Sequence, residues 1–367
     1  MTRILLDCRM ADWSGIGRYS TGLARALATR ADLELIQVIA SGGSPPVADA
    51  ETASARAHPF APAGGLELGT IVRRVAPDLV HCLHVPTPIP VRHPLAVTIH
   101  DLTPLRIPEV MPSIVRRTAY RWWNARAASV AGVILANSQA TANDIHSYFP
   151  HAKARVRVVL HAADDFADGD VSPLPATLAD GGAYLLSMGN TKPHKDLPTL
   201  LRAFAQINVN HPDLRLLLVG RDEPGYADSV LGDTPAARRV HFTGRVDDPT
   251  LRALYAGAEA FVFPSRYEGF GLPPLEAMAS GTPVVCSDAA SLPEVVDEAA
   301  LLFPAGDVTA AAGAILRLLG DDALRVSLVK AGRERAALFT WQRTAAQTVM
   351  AYRELLEGPG GAVRVRE

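Results

Sequence analysis

The chain has 367 residues, 48% of them hydrophobic and 20% charged, with a formal net charge of −2. That length exceeds one ordinary core and implies two domains, and the near-neutral charge argues against bulk nucleic-acid binding. No apolar run approaches the ~20 residues of a membrane span, and Met1 to Asp7 is too short and too soon charged for a signal peptide, so a cytoplasmic protein is expected.

Arg3 to Asp7 predicts an opening core strand, and Ser14-Gly-Ile-Gly-Arg-Tyr19 carries the chain into an amphipathic helix through Arg30. A G-x-G that lacks the third glycine of a dinucleotide fingerprint is, by itself, a tight turn. Leu33 to Ile39 predicts a second strand, and the Gly-, Pro- and Ala-rich stretch from Ser41 to Gly65 predicts a long loop. Short apolar runs recur at Leu79–Cys82, Leu95–Ile99, Val133–Ala136 and Val156–Val159, several of them separated by helical patterns. This alternation predicts a mostly parallel sheet covered on both faces, whose ligands bind beyond the carboxyl ends of the strands. His100 directly follows one such end. Cys8, Cys82 and Cys286 are odd in number, lack metal-ligand spacing and read as buried free thiols.

Pro112 to Arg126 predicts a helix in which arginines interleave with Tyr120, Trp122 and Trp123. Val115, Ala119 and Trp122 share one face, as a core-facing helix requires. Basic side chains beside tryptophan also suit an anionic membrane surface, so the Arg116–Arg126 stretch is a candidate for peripheral membrane contact at the inner membrane face. Ser138 reads as a helix cap. The apolar pattern dissolves from His161 to Pro175, where a domain linker is expected.

Ala183 to Met188 restarts a sheet and leads through Gly189-Asn-Thr-Lys-Pro-His-Lys-Asp-Leu197 into a helix. Lys192 and Lys195, placed after a strand end, suit phosphate binding. Leu214–Val219, ending in Gly220-Arg221, and Val240–Gly244 predict further strands. Ala260 to Phe263 is a buried strand stopped by Pro264, and Glu268-Gly-Phe-Gly-Leu-Pro-Pro274 is a glycine loop that enters a helix. The start of that helix, with backbone N–H groups lacking internal partners, is an expected anion site. Glu268 and Glu276 would stand about 12 Å apart on a continuous helix, too far to share a proton, so each carboxylate receives its own task. Helical patterns over Val308–Leu319, Asp322–Leu338 and Trp341–Leu356 complete the chain before a frayed end from Gly358.

The stretch E-G-F-G-L-P-P-L-E-A-M-A-S-G-T-P-V-V, from Glu268 to Val285, resembles the E-x7-E motif of the retaining family 4 glycosyltransferases. Val240–Val246 and Ser291–Val295 are similar to neighbouring motifs of that family. The resemblance implies an α/β chain of the GT-B fold, two Rossmann-like doubly wound domains with parallel sheets facing across a cleft. It places the acceptor side at 1–165 and the nucleotide-sugar donor side at 170–340, with a helix near 341–357 packing back on the first domain. Glu268 would contact the transferred sugar, Glu276 the nucleotide ribose and Lys195 the diphosphate. Asn190 stands where many members have arginine, which leaves a second positive charge to Lys192, His194 or Arg221. Arg245 and Val246 would lie beside the base, Phe270, Gly271 and Leu272 along the donor, and His100 beside the donor sugar and reacting centre. Gly15 and Gly17 would serve through their backbone, beside the donor phosphate or the acceptor.

The implied activity is transfer of a sugar from a nucleoside-diphosphate donor to a glycan or lipid-linked acceptor in polysaccharide biosynthesis, with no metal or other cofactor. Mannose from GDP-mannose is the first donor expected, ahead of rhamnose and glucose donors. The competing readings are a catalytically silent sugar-nucleotide-binding subunit and an epimerase or phosphorylase of the same fold.

Overall fold

A computed structural model of the chain describes residues 1–167, 169–174, 182–221 and 223–358. Of the linker expected from His161 to Pro175, residues 168 and 175 lie outside the described residues, as does the tail beyond Gly358. The chain divides into two compact units, Met1–Ala162 with Thr340–Glu367, and Ala163–Phe339.

The first unit is built on a parallel sheet of strands β1 (Thr2–Asp7), β2 (Leu33–Ala40), β3 (Glu51–Ala55), β4 (Leu79–Cys82), β5 (Leu95–Ile99), β6 (Val133–Ala136) and β7 (Val156–Val158), in the order β3-β2-β1-β4-β5-β6-β7. Alternation along β1 explains its unbroken apolar sequence. Ile4 and Leu6 pack on one face with Tyr19, Leu23, Trp341 and Tyr352, while Leu5 packs on the other with Leu68, Ile71 and Trp123. A central strand covered on both faces needs apolar residues at every position. The second unit repeats the plan with β8 (Tyr184–Met188), β9 (Arg215–Val219), β10 (Val240–Gly244), β11 (Ala260–Phe263), β12 (Val284–Ser287) and β13 (Ala300–Phe303), in the order β10-β9-β8-β11-β12-β13. Strand order reverses between β1 and β4 in one unit and between β8 and β11 in the other. Such reversals leave a crevice at the carboxyl ends where ligands bind.

The helix Trp341–Glu357 belongs to the first unit. A Cβ at Gly22 would lie 2.1 Å from the indole of Trp341, so only glycine lets that ring pack there. Two expectations are corrected. The stretch from Ser41 to Gly65 is not one loop: Glu51–Ala55 forms edge strand β3, paired parallel with β2, and a helix begins at Pro62. The helix Ile114–Val130, capped by Ser113, turns Val115, Ala119 and Trp122 outward. Its inward face is Trp123, Asn124, Ala127 and Ala128, with the Trp123 indole donating to the Phe60 carbonyl at 3.2 Å. All three cysteines are buried free thiols.

A hydrogen-bonded line crosses the core of the first unit. The Tyr19 hydroxyl meets Thr98 Oγ1 at 2.8 Å, His81 Nε2 meets the same oxygen at 2.8 Å, and His81 Nδ1 meets the Tyr352 hydroxyl at 2.6 Å. Burial pulls the His81 imidazole from the usual 6.5 down to about 3. The folded state therefore keeps His81 neutral where the unfolded chain would protonate it, so stability is full above pH 6.5 and falls as the pH drops towards 3. Near pH 5 the loss from His81 amounts to roughly 2 kcal/mol. Thermal melts should show a falling midpoint from pH 7 to 5, and less of a fall in His81→Gln. A pH-independent midpoint would contradict this account.

Candidate active site

The junction of β8 and β11 gathers the charged residues of the second unit. After β8, the chain presses against the end of β9: Gly220, at φ +155°, has its absent Cβ position 2.1 Å from the Gly189 carbonyl oxygen, and no side chain fits. The loop is then held from within. Asn190 Oδ1 accepts the Lys192 amide at 3.2 Å, and Thr191 donates to Glu223 at 2.6 Å. A short 3₁₀ turn, Pro193–Lys195, and a left-handed Asp196 lead into the helix Leu197–Asn208. The Arg266 amide donates to the His194 carbonyl at 2.7 Å, which ties this loop to the one after β11.

These constraints bring Lys195 Nζ to 2.7 Å from Glu268 Oε1, with the ammonium 5.0 Å from the centre of the Phe263 ring. Both side chains are mostly buried, 17% and 15% exposed. An ammonium so placed, screened from bulk water and opposed by one carboxylate, is available to a more highly charged anion entering the crevice.

Glu276 is separate from this pair. It is buried, 4% exposed, and accepts the Tyr255 hydroxyl at 3.2 Å. Its helix, Leu272–Ala279, starts after Gly271 at φ +129°. Pro273 and Pro274 have no amide hydrogen, so the anion-binding capacity expected of this first turn is reduced to the Gly271 and Leu272 amides. Ser291 fixes the preceding loop, its buried hydroxyl donating to the Glu268 carbonyl at 2.9 Å and also meeting the carbonyl of Phe270. Arg221 follows β9 and is exposed, as are Lys192 and Arg245, while Val246 is half-buried beyond β10. Among the described residues no group of three or more His, Cys, Asp or Glu could hold a metal ion.

In the first unit, Gly15 and Gly17 lie in the first turn of the helix Ser14–Ala28 rather than in the loop before it. Gly15 opens onto free space, whereas a Cβ at Gly17 would strike the Ala11 carbonyl at 2.1 Å, so packing accounts for the second glycine. His100 Nε2 donates to the Leu83 carbonyl at 2.8 Å, and its ring is 4.9 Å from Tyr19, 5.6 Å from His84 and 5.3 Å from His161. Burial lowers its basicity, opposed by the Leu83 carbonyl and Asp101. His84 is pulled to about 3, its Nδ1 accepting the Val85 amide at 2.7 Å. A neutral His100 with Nε2 engaged offers Nδ1 as an acceptor. Beneath them a buried bidentate pair joins Arg9 to Asp7, with two contacts at 2.7 Å. Tyr255 and the histidines around His100 were not apparent as site residues in the sequence, because each contact joins distant segments, whereas Ser291 opens a stretch that resembles a family motif.

Glycosyl transferases group 1 match residues 175–335, and Glycosyltransferase Family 4 matches residues 13–165. The chain belongs to glycosyltransferase family 4. The two matches fall on the two units, and the fold is GT-B. The chain is 40% identical over 176 residues to O-antigen chain mannosyltransferase B of Escherichia coli, covering 47% of this chain and 46% of that protein. It is 33% identical over 284 residues to the MMP alpha-(1->4)-mannosyltransferase of Mycolicibacterium hassiacum, covering 72% and 66%. The matched regions therefore span about half to two thirds of these relatives. Among solved structures, sucrose-phosphate synthase from Thermosynechococcus elongatus superposes with a TM-score of 0.77 at 25% identity, covering 97% of this chain and 100% of that one. Anabaena HepE in complex with UDP and glucose gives 0.72 at 20% identity, covering 96% and 100%.

The Lys195–Glu268 contact makes opposite predictions for its partners. Calorimetric titration with pyrophosphate should show affinity lowered about tenfold or more in Lys195→Ala, since a charge-assisted bond is worth ~1.5 to 3 kcal/mol. In Glu268→Gln, which removes the competing carboxylate, affinity should rise. Weaker binding in both variants would contradict the arrangement.

Proposed function

We propose that the protein is a retaining glycosyltransferase that moves a hexose, first mannose from GDP-mannose, to a glycan or lipid-linked acceptor without a metal ion. The observation that carries this reading is the Lys195–Glu268 pair across the reversal of strand order in the second unit. Lys195 takes the departing diphosphate, and its attraction strengthens as negative charge develops on the leaving oxygen. Glu268, released from Lys195 when the diphosphate enters, meets the transferred sugar. Glu276, oriented by Tyr255, binds the ribose. Phe270, Gly271 and Leu272, held through Ser291, line the donor, with Arg245 and Val246 beside the base and Asn190, Lys192 and Arg221 around the diphosphate. His100 Nδ1 accepts a sugar hydroxyl, so residues of both units contribute to turnover. Mannose as the donor sugar is supported by the two relatives named above, both described as mannosyltransferases.

Contact with an anionic membrane surface is part of the same proposal. Ile114, Val115 and Trp122 are 71%, 78% and 52% exposed, and Arg116 and Arg121 are exposed beside them. Apolar side chains flanked by arginines fit the boundary between acyl chains and anionic headgroups. Among the described residues no helix is long and apolar enough to cross a membrane.

Steady-state kinetics separate the two glutamates: Glu276→Ala should raise the KM for donor, and Glu268→Ala should chiefly lower kcat, each by about tenfold or more. Equal small effects would contradict the assignment, and nucleotide binding without any turnover would favour a silent binding subunit. Sedimentation with phosphatidylglycerol vesicles should be lost in Trp122→Ser, and equal binding to phosphatidylcholine would argue against the charged surface.

A further inference from the structure

The carboxyl edge of the first sheet carries a strip of rings that the donor chemistry leaves unused. Trp13 follows β1 and is 42% exposed. Its ring centre is 6.0 Å from His58 and 6.3 Å from Phe60, which follow β3. Phe60 lies 5.4 Å from His84 after β4, and His84 lies 5.6 Å from His100 after β5. The strip thus spans the β1–β4 reversal of strand order and ends at the histidine assigned to the reacting centre.

Trp13 is not explained by the fold. It occupies the N-cap of the helix Ser14–Ala28 and makes no side-chain capping bond, where Ser, Thr, Asp or Asn would stabilise the helix. Phe60 beside it is anchored, its carbonyl accepting from the Trp123 indole at 3.2 Å. Beside Trp13 the ledge is open, with nothing within 4 Å of a Cβ at Gly15. Its rim is polar, for His58 is exposed. His58 Nδ1 accepts the Phe60 amide at 3.3 Å, which leaves Nε2 as the N–H donor of the neutral ring.

An aromatic floor with an N–H at its edge matches a pyranose, whose C–H face is apolar and whose rim is hydroxylated. A hydrocarbon chain would leave that N–H without a partner, at a cost. We propose that Trp13, with His58 and Phe60, is the platform on which the terminal sugar of the acceptor lies, a hydroxyl of it reaching His58 Nε2. This rests on the glycosyl-transfer reading and names its acceptor as a saccharide end rather than a lipid phosphate.

Saturation-transfer NMR and calorimetry on the full chain with methyl α-D-mannopyranoside and an α-mannobiose test the platform. Wild type should bind, with saturation strongest at the C–H protons of one ring face. Trp13→Ala should weaken binding by about tenfold, equivalent to ~1.4 kcal/mol, and Trp13→Phe should restore most of it. His58→Ala should weaken binding less, and the melting midpoint of each variant reports whether it folds. No binding by wild type, equal binding by Trp13→Ala, or binding of decyl phosphate at Trp13 in place of the saccharides would overturn the proposal. GDP titrated into wild type reports the donor reading separately: saccharide binding without GDP binding would uphold the platform and overturn the donor site.

Discussion

The ion pair between Lys195 and Glu268 is the contact on which the proposed chemistry of the second unit depends. It joins the loop after β8 to the loop after β11, the two strands between which the order of the sheet reverses. The glycine at 220, the left-handed Asp196 and the Arg266–His194 bond all serve to bring these loops together. A mostly buried pair of opposite charges is a poor source of stability, because desolvation offsets attraction. Its value, on the proposed function, lies in holding the lysine side chain oriented and mostly buried for a stronger anion. In the proposed mechanism the same carboxylate that holds the lysine is then released to the sugar.

The first unit follows a different electrostatic plan. Its strand ends carry His84, His100 and His161, and burial lowers the basicity of all three. Its buried formal charges at β1, Asp7 and Arg9, cancel each other. Neutral rings and hydrogen-bond acceptors suit a partner that is itself neutral and hydroxylated, whereas the second unit carries the charge that a diphosphate needs. Two sheets of one design thus present opposite chemistries at equivalent edges.

Most strands of both units were legible in the sequence because central parallel strands are buried on both faces and read as apolar runs, whereas edge strand β13 was not read. Strand β3 was hidden, since Glu51-Thr-Ala-Ser-Ala55 pairs on one side only and keeps three exposed residues. The helix Ile114–Val130 was assigned the wrong face because Val115, Ala119 and Trp122 have the spacing of a buried stripe, and spacing does not say whether a partner exists. Glu268, Glu276 and Lys195 stood out through the resemblance of their loops to a known family. The tyrosine that holds Glu276 and the rings around His100 come from far along the chain, and no local pattern marks them.

The central claim is that Lys195 engages the terminal phosphate of a nucleoside diphosphate. Phosphorus NMR of GDP bound to the full chain reads this atom by atom. The account predicts that the β-phosphorus resonance shifts on binding to wild type and returns most of the way to its free position in Lys195→Ala at saturating protein, while the α-phosphorus changes less. A β-phosphorus resonance that is the same in wild type and Lys195→Ala would contradict it.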